Sequence, residues 1–329
     1  MCTAITMKAK DFYFGRNLDF EHSYGEQIVV TPRNYPFTFR HTDQILSNHF
    51  ALIGMAHPAG GYPLYYEAVN EKGLGIAGLL FSGNAHYEKP AEGKDNITSF
   101  ELIPWILGQC ATCKEARTLL AKIRIVDTAF SKELPPSPLH WLIADETDCI
   151  TLECTKEGMA IYDNPVGVLT NNPPFPQQMF SLNQYMHLSP KQPVNHFSDK
   201  LDLTCFSRGM GALGLPGDLS SGSRFVRAAF HRMNAKTEDT EESAVGQFFH
   251  LLTSVEQQRG SCEVAPGEYE ITIYSSCCNA GTGVYYYTTY TNRRITAVDM
   301  HLEDLDGDSI ICYPMLEQEQ IYVQNRKDS

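Results

Sequence analysis

Cys2 stands directly behind Met1, and a small residue in second place is the usual condition for removal of an initiator methionine. Removal leaves one residue with both a thiol and a free α-amine. That amine has an ordinary pKa of ~7.7–8.0, well below a lysine, so it is partly neutral at working pH and takes up a proton. The thiol ionises near ~8.5 and is a strong nucleophile once ionised. Nucleophile and base on one residue is the logic of N-terminal-nucleophile catalysis. Phe14-Gly15-Arg16-Asn17-Leu18-Asp19-Phe20 then supplies a cation and an anion. Residues 2–8 and 12–20 read as strands joined by a turn at Ala9-Lys10-Asp11, a hairpin that returns residues 16–19 to the side of residue 2. Arg16 would place a cation near the Cys2 sulfur and favour the thiolate. Asp19 would accept hydrogen bonds from the α-amine and orient it. The plainer alternative is a surface ion pair between the two.

Other motifs lead elsewhere or nowhere. Gly209-Met210-Gly211-Ala212-Leu213-Gly214 has a dinucleotide-binding spelling, but Leu215-Pro216-Gly217-Asp218 breaks the helix that spelling needs, so it reads as a flexible loop. Cys110-Ala111-Thr112-Cys113 lacks a second pair of matching spacing, since Cys277-Cys278 is adjacent; it reads as core thiols. A thiol or metal-binding protein built on these cysteines is the non-enzymatic alternative, and it predicts no loss when Cys2 becomes Ala. Asp304-Leu305-Asp306-Gly307-Asp308 resembles a calcium loop, yet Ser309 and Met315 occupy the places of its glycine and its glutamate, so a hairpin turn is expected. No G-x-S-x-G elbow occurs. Neither metal nor cofactor is expected.

The chain that must position these residues has 329 of them, 43% hydrophobic and 20% charged, with a formal charge of −13. That is too apolar for a disordered tail and too acidic to favour a phosphate backbone, which argues against nucleic acid. No run of ~18 apolar residues is present, so no helix is expected to span a membrane. Met1–Lys8 lacks the ~7–15-residue apolar stretch of a secretory signal. The expectation is a cytoplasmic protein whose ten cysteines are free thiols. Strand signals continue at 27–31, 50–55 and 75–81. Thr112-x-x-Glu115 reads as a capping box for a helix carrying Ala116, Leu119, Leu120 and Ile123. A strand pair follows near 139–144 and 150–154. Ser223 is the candidate cap of a helix presenting Val226, Ala229, Phe230 and Met233, and a second helix carries Val245, Phe248, Phe249, Leu252 and Val255. Strands resume at 268–275, 284–290 and 295–300, the last two flanking a turn at Asn292-Arg293-Arg294. Blocks of strands and helices in this order indicate an α+β arrangement of helices on antiparallel sheets. One domain over 2–329 is expected, with a peripheral insertion near 185–220.

The chain resembles the choloylglycine hydrolase family, bile salt hydrolases and penicillin V acylases, within the N-terminal-nucleophile superfamily. The matching stretches are Met1-Cys2-Thr3, Phe14 to Asp19, Asn70-Glu71-Lys72-Gly73-Leu74-Gly75, Gly167-Val168-Leu169-Thr170-Asn171, Gly214 to Asp218, Ser223-Arg224-Phe225, Tyr285-Tyr286-Tyr287 and Ala297-Val298-Asp299-Met300. They occur in the family's order over nearly the whole chain. The resemblance implies a four-layer αββα fold, two stacked antiparallel sheets between helices, and hydrolysis of a linear amide through a thioester. Cys2 would be nucleophile and base, Arg16 and Asp19 would hold thiol and amine, Asn171 would donate into the oxyanion hole, and Arg224 would support the pocket. Leu18, Tyr24, Phe130 and Leu139 match positions that line the acyl pocket. The implied substrate is a bile acid conjugated to glycine or taurine. Arg208, in the Ser207-Arg208-Gly209 loop, would pair with a glycine carboxylate. The implied assembly is a homotetramer. One position departs: Leu80 stands where bile salt hydrolases commonly carry Asn and penicillin V acylases an aromatic residue. Leu80 still offers a backbone N–H to the oxyanion but no side-chain hydrogen bond to the substrate, for which Asn84 is the substitute, and the departure leaves penicillin V or another N-acyl amide as the second substrate class.

Overall fold

The computed structural model describes residues 1–325; residues 326–329 of the expected domain fall outside them. The first strand, Cys2–Lys8, and the second, Phe12–Phe20, form the expected hairpin, with Cys2 opposite Leu18 and Ala4 opposite Arg16. Every residue from Cys2 to Met7 and from Phe12 to Asp19 is buried. The strands are covered on both faces, which is why their sequences do not alternate apolar and polar.

They belong to a six-stranded antiparallel sheet ordered Val168–Leu169, Cys2–Lys8, Phe12–Phe20, Ile271–Asn279, Val284–Thr289 and Asn292–Asp299. A second antiparallel sheet has eight strands: Gly158–Asp163, Cys149–Thr155, Leu139–Ala144, Gly75–Leu80, Tyr62–Asn70, Leu52–Ala59, Gln27–Thr31 and Ile311–Pro314. Period-two alternation divides its side chains. Ile28, Val30, Ile53, Met55, Ala77, Leu79 and Leu142 join the core shared with the six-stranded sheet. Val29, Leu52, Ile76, Trp141 and Ile143 pack outward under the helices Leu102–Leu107 and Cys113–Leu120. The helices Ser221–Asn234 and Glu241–Thr253 cover the other face of the six-stranded sheet. The result is the expected four-layer αββα architecture, two stacked antiparallel sheets between helices.

One glycine lets the layers close and another lets two strands meet. A Cβ on Gly75 would stand 2.7 Å from the Phe14 ring across the sheets, and one on Gly15 would stand 2.0 Å from the Ser276 carbonyl oxygen on the neighbouring strand of the same sheet. The expected cap of the Cys113–Leu120 helix is present, with Thr112 accepting from the Glu115 N–H.

Four local expectations are corrected. The Ser221–Asn234 helix is capped by Ser220, one turn ahead of Ser223; it buries Val226 and Ala229 as expected, but also Arg224, Phe225 and Ala228, while Met233 is exposed. The stripe begins earlier than expected because an arginine opens the buried face. Asn292-Arg293-Arg294 begins a strand instead of forming a turn. Residues 268–275 divide into Glu268–Tyr269, paired with Glu263–Ala265, and the start of Ile271–Asn279. Residues 304–308 make a turn with Gly307 N–H on the Asp304 carbonyl, but no hairpin, because the flanking strands lie in different sheets. Among the described residues, no helix is long and apolar enough to cross a membrane.

Candidate active site

Strand register assembles the site. The Val168–Leu169 strand runs antiparallel to the first strand with Leu169 opposite Ala4, so Thr170 and Asn171 arrive beside the Cys2 end. Asn171 Oδ1 accepts the Cys2 backbone N–H at 2.9 Å and Arg224 Nη2–H at 2.8 Å. Its Nδ2 donates to the Leu80 carbonyl at 2.7 Å. Arg224 Nη1 donates to the Cys2 carbonyl and to Thr3 Oγ1, both at 2.6 Å.

Cys2 is 2% exposed and lies on the wall of a cavity of about 470 Å³, within the range of small-molecule sites. Arg16 shares that wall. Its Nη1 donates to the carbonyls of Gly78 at 2.6 Å and Tyr66 at 3.2 Å, and its Nε to the Asn17 carbonyl at 3.3 Å. Its Nη2 is buried without a partner. Burial works against the charge of Arg16, but Cys2, Tyr274, Glu67 and Asp19 outweigh it and hold the guanidinium more firmly protonated than usual.

Asp19, opposite in sense to Arg16, is fully buried. Thr272 Oγ1 donates to its Oδ1 at 2.6 Å; its Oδ2 has no hydrogen-bond partner and stands 4.0 Å from Arg224 Nη1. Burial pushes its carboxyl up, partly offset by Arg224 and the N-terminal ammonium. The Met1 ammonium donates to the Asp19 carbonyl at 2.7 Å and pairs with Glu270, while Asp19 N–H donates to the Met1 carbonyl at 2.9 Å. With Met1 in place the Cys2 nitrogen is a peptide N–H and accepts no proton.

The backbone at Leu80 faces the same centre. Phe81 N–H bonds to the Pro138 carbonyl at 2.7 Å. Antiparallel alternation therefore turns the Leu80 peptide away from that strand, toward the side where the Gly78 and Leu80 carbonyls meet Arg16 and Asn171.

Leu18, Tyr24, Phe130 and Leu139 all lie on the cavity wall. Arg208 does not: it is exposed, on a segment that Gln192 ties to itself through the Ser207 carbonyl at 2.7 Å and the Met210 N–H at 3.2 Å. Asn84 is engaged with Asn172, its Nδ2 donating at 2.9 Å. All ten cysteines are free. Cys113 Sγ packs against the carbonyls of Ile143 and Asp148, and burial pushes the Cys110 thiol up to about 12, which suits core packing and not redox chemistry.

Sequence reading passed over two groups. His140 Nε2 contacts the Thr170 carbonyl at 2.8 Å, next to Asn171, with Glu153 at 3.0 Å on its other nitrogen. Glu67 lies behind Arg16, the only acid in the strand Tyr62–Asn70. That isolation in an apolar strand was its one visible signal.

Comparisons with known proteins follow the same geometry. The model of the linear amide C–N hydrolases, choloylglycine hydrolase family, matches residues 2–313. The chain is 55% identical over 325 residues to a bile salt hydrolase/transferase of Lactiplantibacillus plantarum, covering 99% of this chain and 100% of that one. A crystal structure of a mutant conjugated bile acid hydrolase from Clostridium perfringens superposes with a TM-score of 0.91 at 37% identity, covering 99% of this chain and 100% of that one. Penicillin V acylase from Agrobacterium tumefaciens shares the fold, with a TM-score of 0.73 at 18% identity over 95% of this chain and 90% of that one.

Proposed function

The chain belongs to the choloylglycine hydrolase family of linear amide C–N hydrolases, and from that premise we propose that it cleaves bile acids conjugated to glycine or taurine, with Cys2 as nucleophile after Met1 is removed. The observation that carries the reading is the placement of Cys2 and the unpartnered Arg16 Nη2 on one wall of a largely apolar cavity. A steroid acid presents a broad apolar face to such a wall, worth roughly 25 cal/mol per Å² buried. The names of the relatives support the same substrate class.

In the proposed reaction the Cys2 thiolate, stabilised by Arg16, attacks the amide carbonyl and forms the C–S bond. The carbonyl oxygen gains the charge and is held by the Leu80 N–H and Asn171 Nδ2. Collapse breaks the C–N bond, and the α-ammonium of Cys2 gives its proton to the leaving amine. The α-amine then takes a proton from water, whose hydroxide opens the thioester and returns free acid and thiolate. Asp19 orients the amine, and Arg224 fixes the Cys2 carbonyl and Asn171. Two oxyanion donors of this kind are worth ~10²–10³ in rate apiece. Neither metal nor cofactor enters the reaction, and neither nucleic acid nor membrane insertion forms part of the reading.

The test is intact mass to establish loss of Met1, then detection of glycine released from glycocholate. Cys2→Ser is expected to abolish turnover nearly completely and to remove sensitivity to iodoacetamide. Full activity in Cys2→Ser would eliminate Cys2 as the attacking group. Faster release from phenoxymethylpenicillin than from glycocholate would instead favour penicillin V, the reading that Leu80 motivates. We further read the protein as a cytoplasmic homotetramer. Exposed Phe197 and Phe206 offer apolar surface for assembly, and light scattering after size exclusion reads the mass.

A further inference from the structure

Arg16 is held by more than the first sheet. Its backbone N–H donates to Ser276 Oγ at 3.2 Å, and Ser276 Oγ in turn donates to Glu67 Oε1 at 3.0 Å. Arg16 Nε stands 3.9 Å from Glu67 Oε2. The carboxylate also receives Tyr274 O–H at 2.7 Å and Tyr285 O–H at 2.5 Å. Tyr66, the neighbour of Glu67, lends its carbonyl to Nη1. Glu67 is 1% exposed and lies on the eight-stranded sheet, whereas Arg16, Tyr274, Ser276 and Tyr285 lie on the six-stranded one. The contact therefore spans the two layers.

Three hydroxyls donating to one carboxylate satisfy an anion, and Arg16 supplies the compensating charge. Burial pushes the Glu67 carboxyl up, and Arg16 with the three hydroxyls works against that push. The Arg16 cation is thus shared: Glu67 draws on it from behind while Nη2 remains unpaired on the cavity side.

We propose that Glu67 is a positioning residue of the hydrolytic site, acting through Arg16: it fixes the guanidinium across the sheet interface and, by partly neutralising it, sets how strongly Arg16 favours the Cys2 thiolate. This rests on the role proposed above for Cys2. The charged and titratable groups around Cys2 are Arg16 and Asp19 on its neighbouring strand, Arg224 on the covering helix, and Tyr24, His57, Tyr65, Tyr66 and Glu133 around the cavity. Those around Glu67 are Arg16, Tyr66, Tyr274, Cys278 and Tyr285.

Removing the charge of Glu67 while keeping its shape frees the whole Arg16 charge for the sulfur. Glu67→Gln is expected to move the acid limb of Cys2 alkylation by iodoacetamide to lower pH, by about half a unit or more. The acid limb of kcat/KM for glycocholate should move the same way, while kcat falls about tenfold as Arg16 loses its anchor. Tyr285→Phe keeps the charge and removes one screening donor, so both limbs should move slightly the other way. Profiles that superpose on the parent's in Glu67→Gln overturn the proposal. If Glu67→Gln does not fold, unmoved profiles in Tyr285→Phe overturn it alone. A merely structural role would lower the melting temperature and the amount of active protein without moving either limb. Failure of the unaltered protein to release glycine would defeat the bile-acid reading, but the alkylation profile would still decide the role of Glu67.

Discussion

Asn171 has a single acceptor oxygen and two amide hydrogens. The oxygen serves Cys2 N–H and Arg224, and one hydrogen is committed to the Leu80 carbonyl. The second hydrogen is the one free for an oxyanion. Asn171→Ala should lower kcat by ~10²–10³ with little change in KM. Asn171→Asp, which keeps the acceptor and loses the donors, should fall by a similar factor in steady-state kinetics. Unchanged kcat in both would remove Asn171 from the oxyanion hole. At this scale the sequence disclosed the residues near each other in the chain. Arg16 and Asp19 followed from one hairpin turn. Glu67 and His140 did not, because their partners Ser276, Tyr274, Tyr285 and Thr170 are far away in the chain and meet them only when strands or sheets are assembled. Arg208 shows the converse: a suitable residue type in a loop says nothing about where the loop is tied.

The Cys113–Leu120 helix shows what local signals deliver. Thr112 caps it as expected, yet the Glu115 carboxylate reaches the Ala111 N–H instead of completing the box on Thr112. A further clasp comes from outside the helix. Asp145 accepts the Cys113 N–H at 2.7 Å together with the N–H groups of Thr147 at 2.7 Å and Asp148 at 2.8 Å. Burial alone would raise this carboxyl, but those donors hold it below the usual range. A folded-state value below the unfolded one means stability present above the unfolded pKa, ~3.9 for Asp. That contribution is lost as pH falls through the lower, folded value. Asp145→Asn should therefore cost about 1–2 kcal/mol at neutral pH, and the gap from the parent should close in strong acid when urea melts are compared. The helix starting at Ser221 marks the limit of pattern reading. Its buried face opens with Arg224, bonded to the Cys2 carbonyl and to Asn171, and a charged group on the apolar stripe hides from periodicity where that face begins.

At the scale of the whole molecule, the two sheets meet through close approaches such as Gly75 against Phe14. Gly75→Ala must displace that ring, an overpacking cost of about 1–3 kcal/mol. We propose that residues 2–325 unfold as one unit, so calorimetry should show one endotherm that shifts down intact, and Phe14→Leu in the same chain should recover part of the loss. Two endotherms, only one of which moves, would contradict this. The same unity gives the Met1 contact its meaning. The Met1 ammonium rests on Glu270 and the Asp19 carbonyl; on the role proposed above for Cys2, any residue ahead of it would keep its nitrogen a peptide N–H and make the molecule a one-residue zymogen, folded but silent. A purification tag fused at the front would lock it in that dormant form. On the same reading, clipping the tag so that Cys2 leads would arm the site, and would release the buried Glu270 carboxylate from its salt partner in the same stroke.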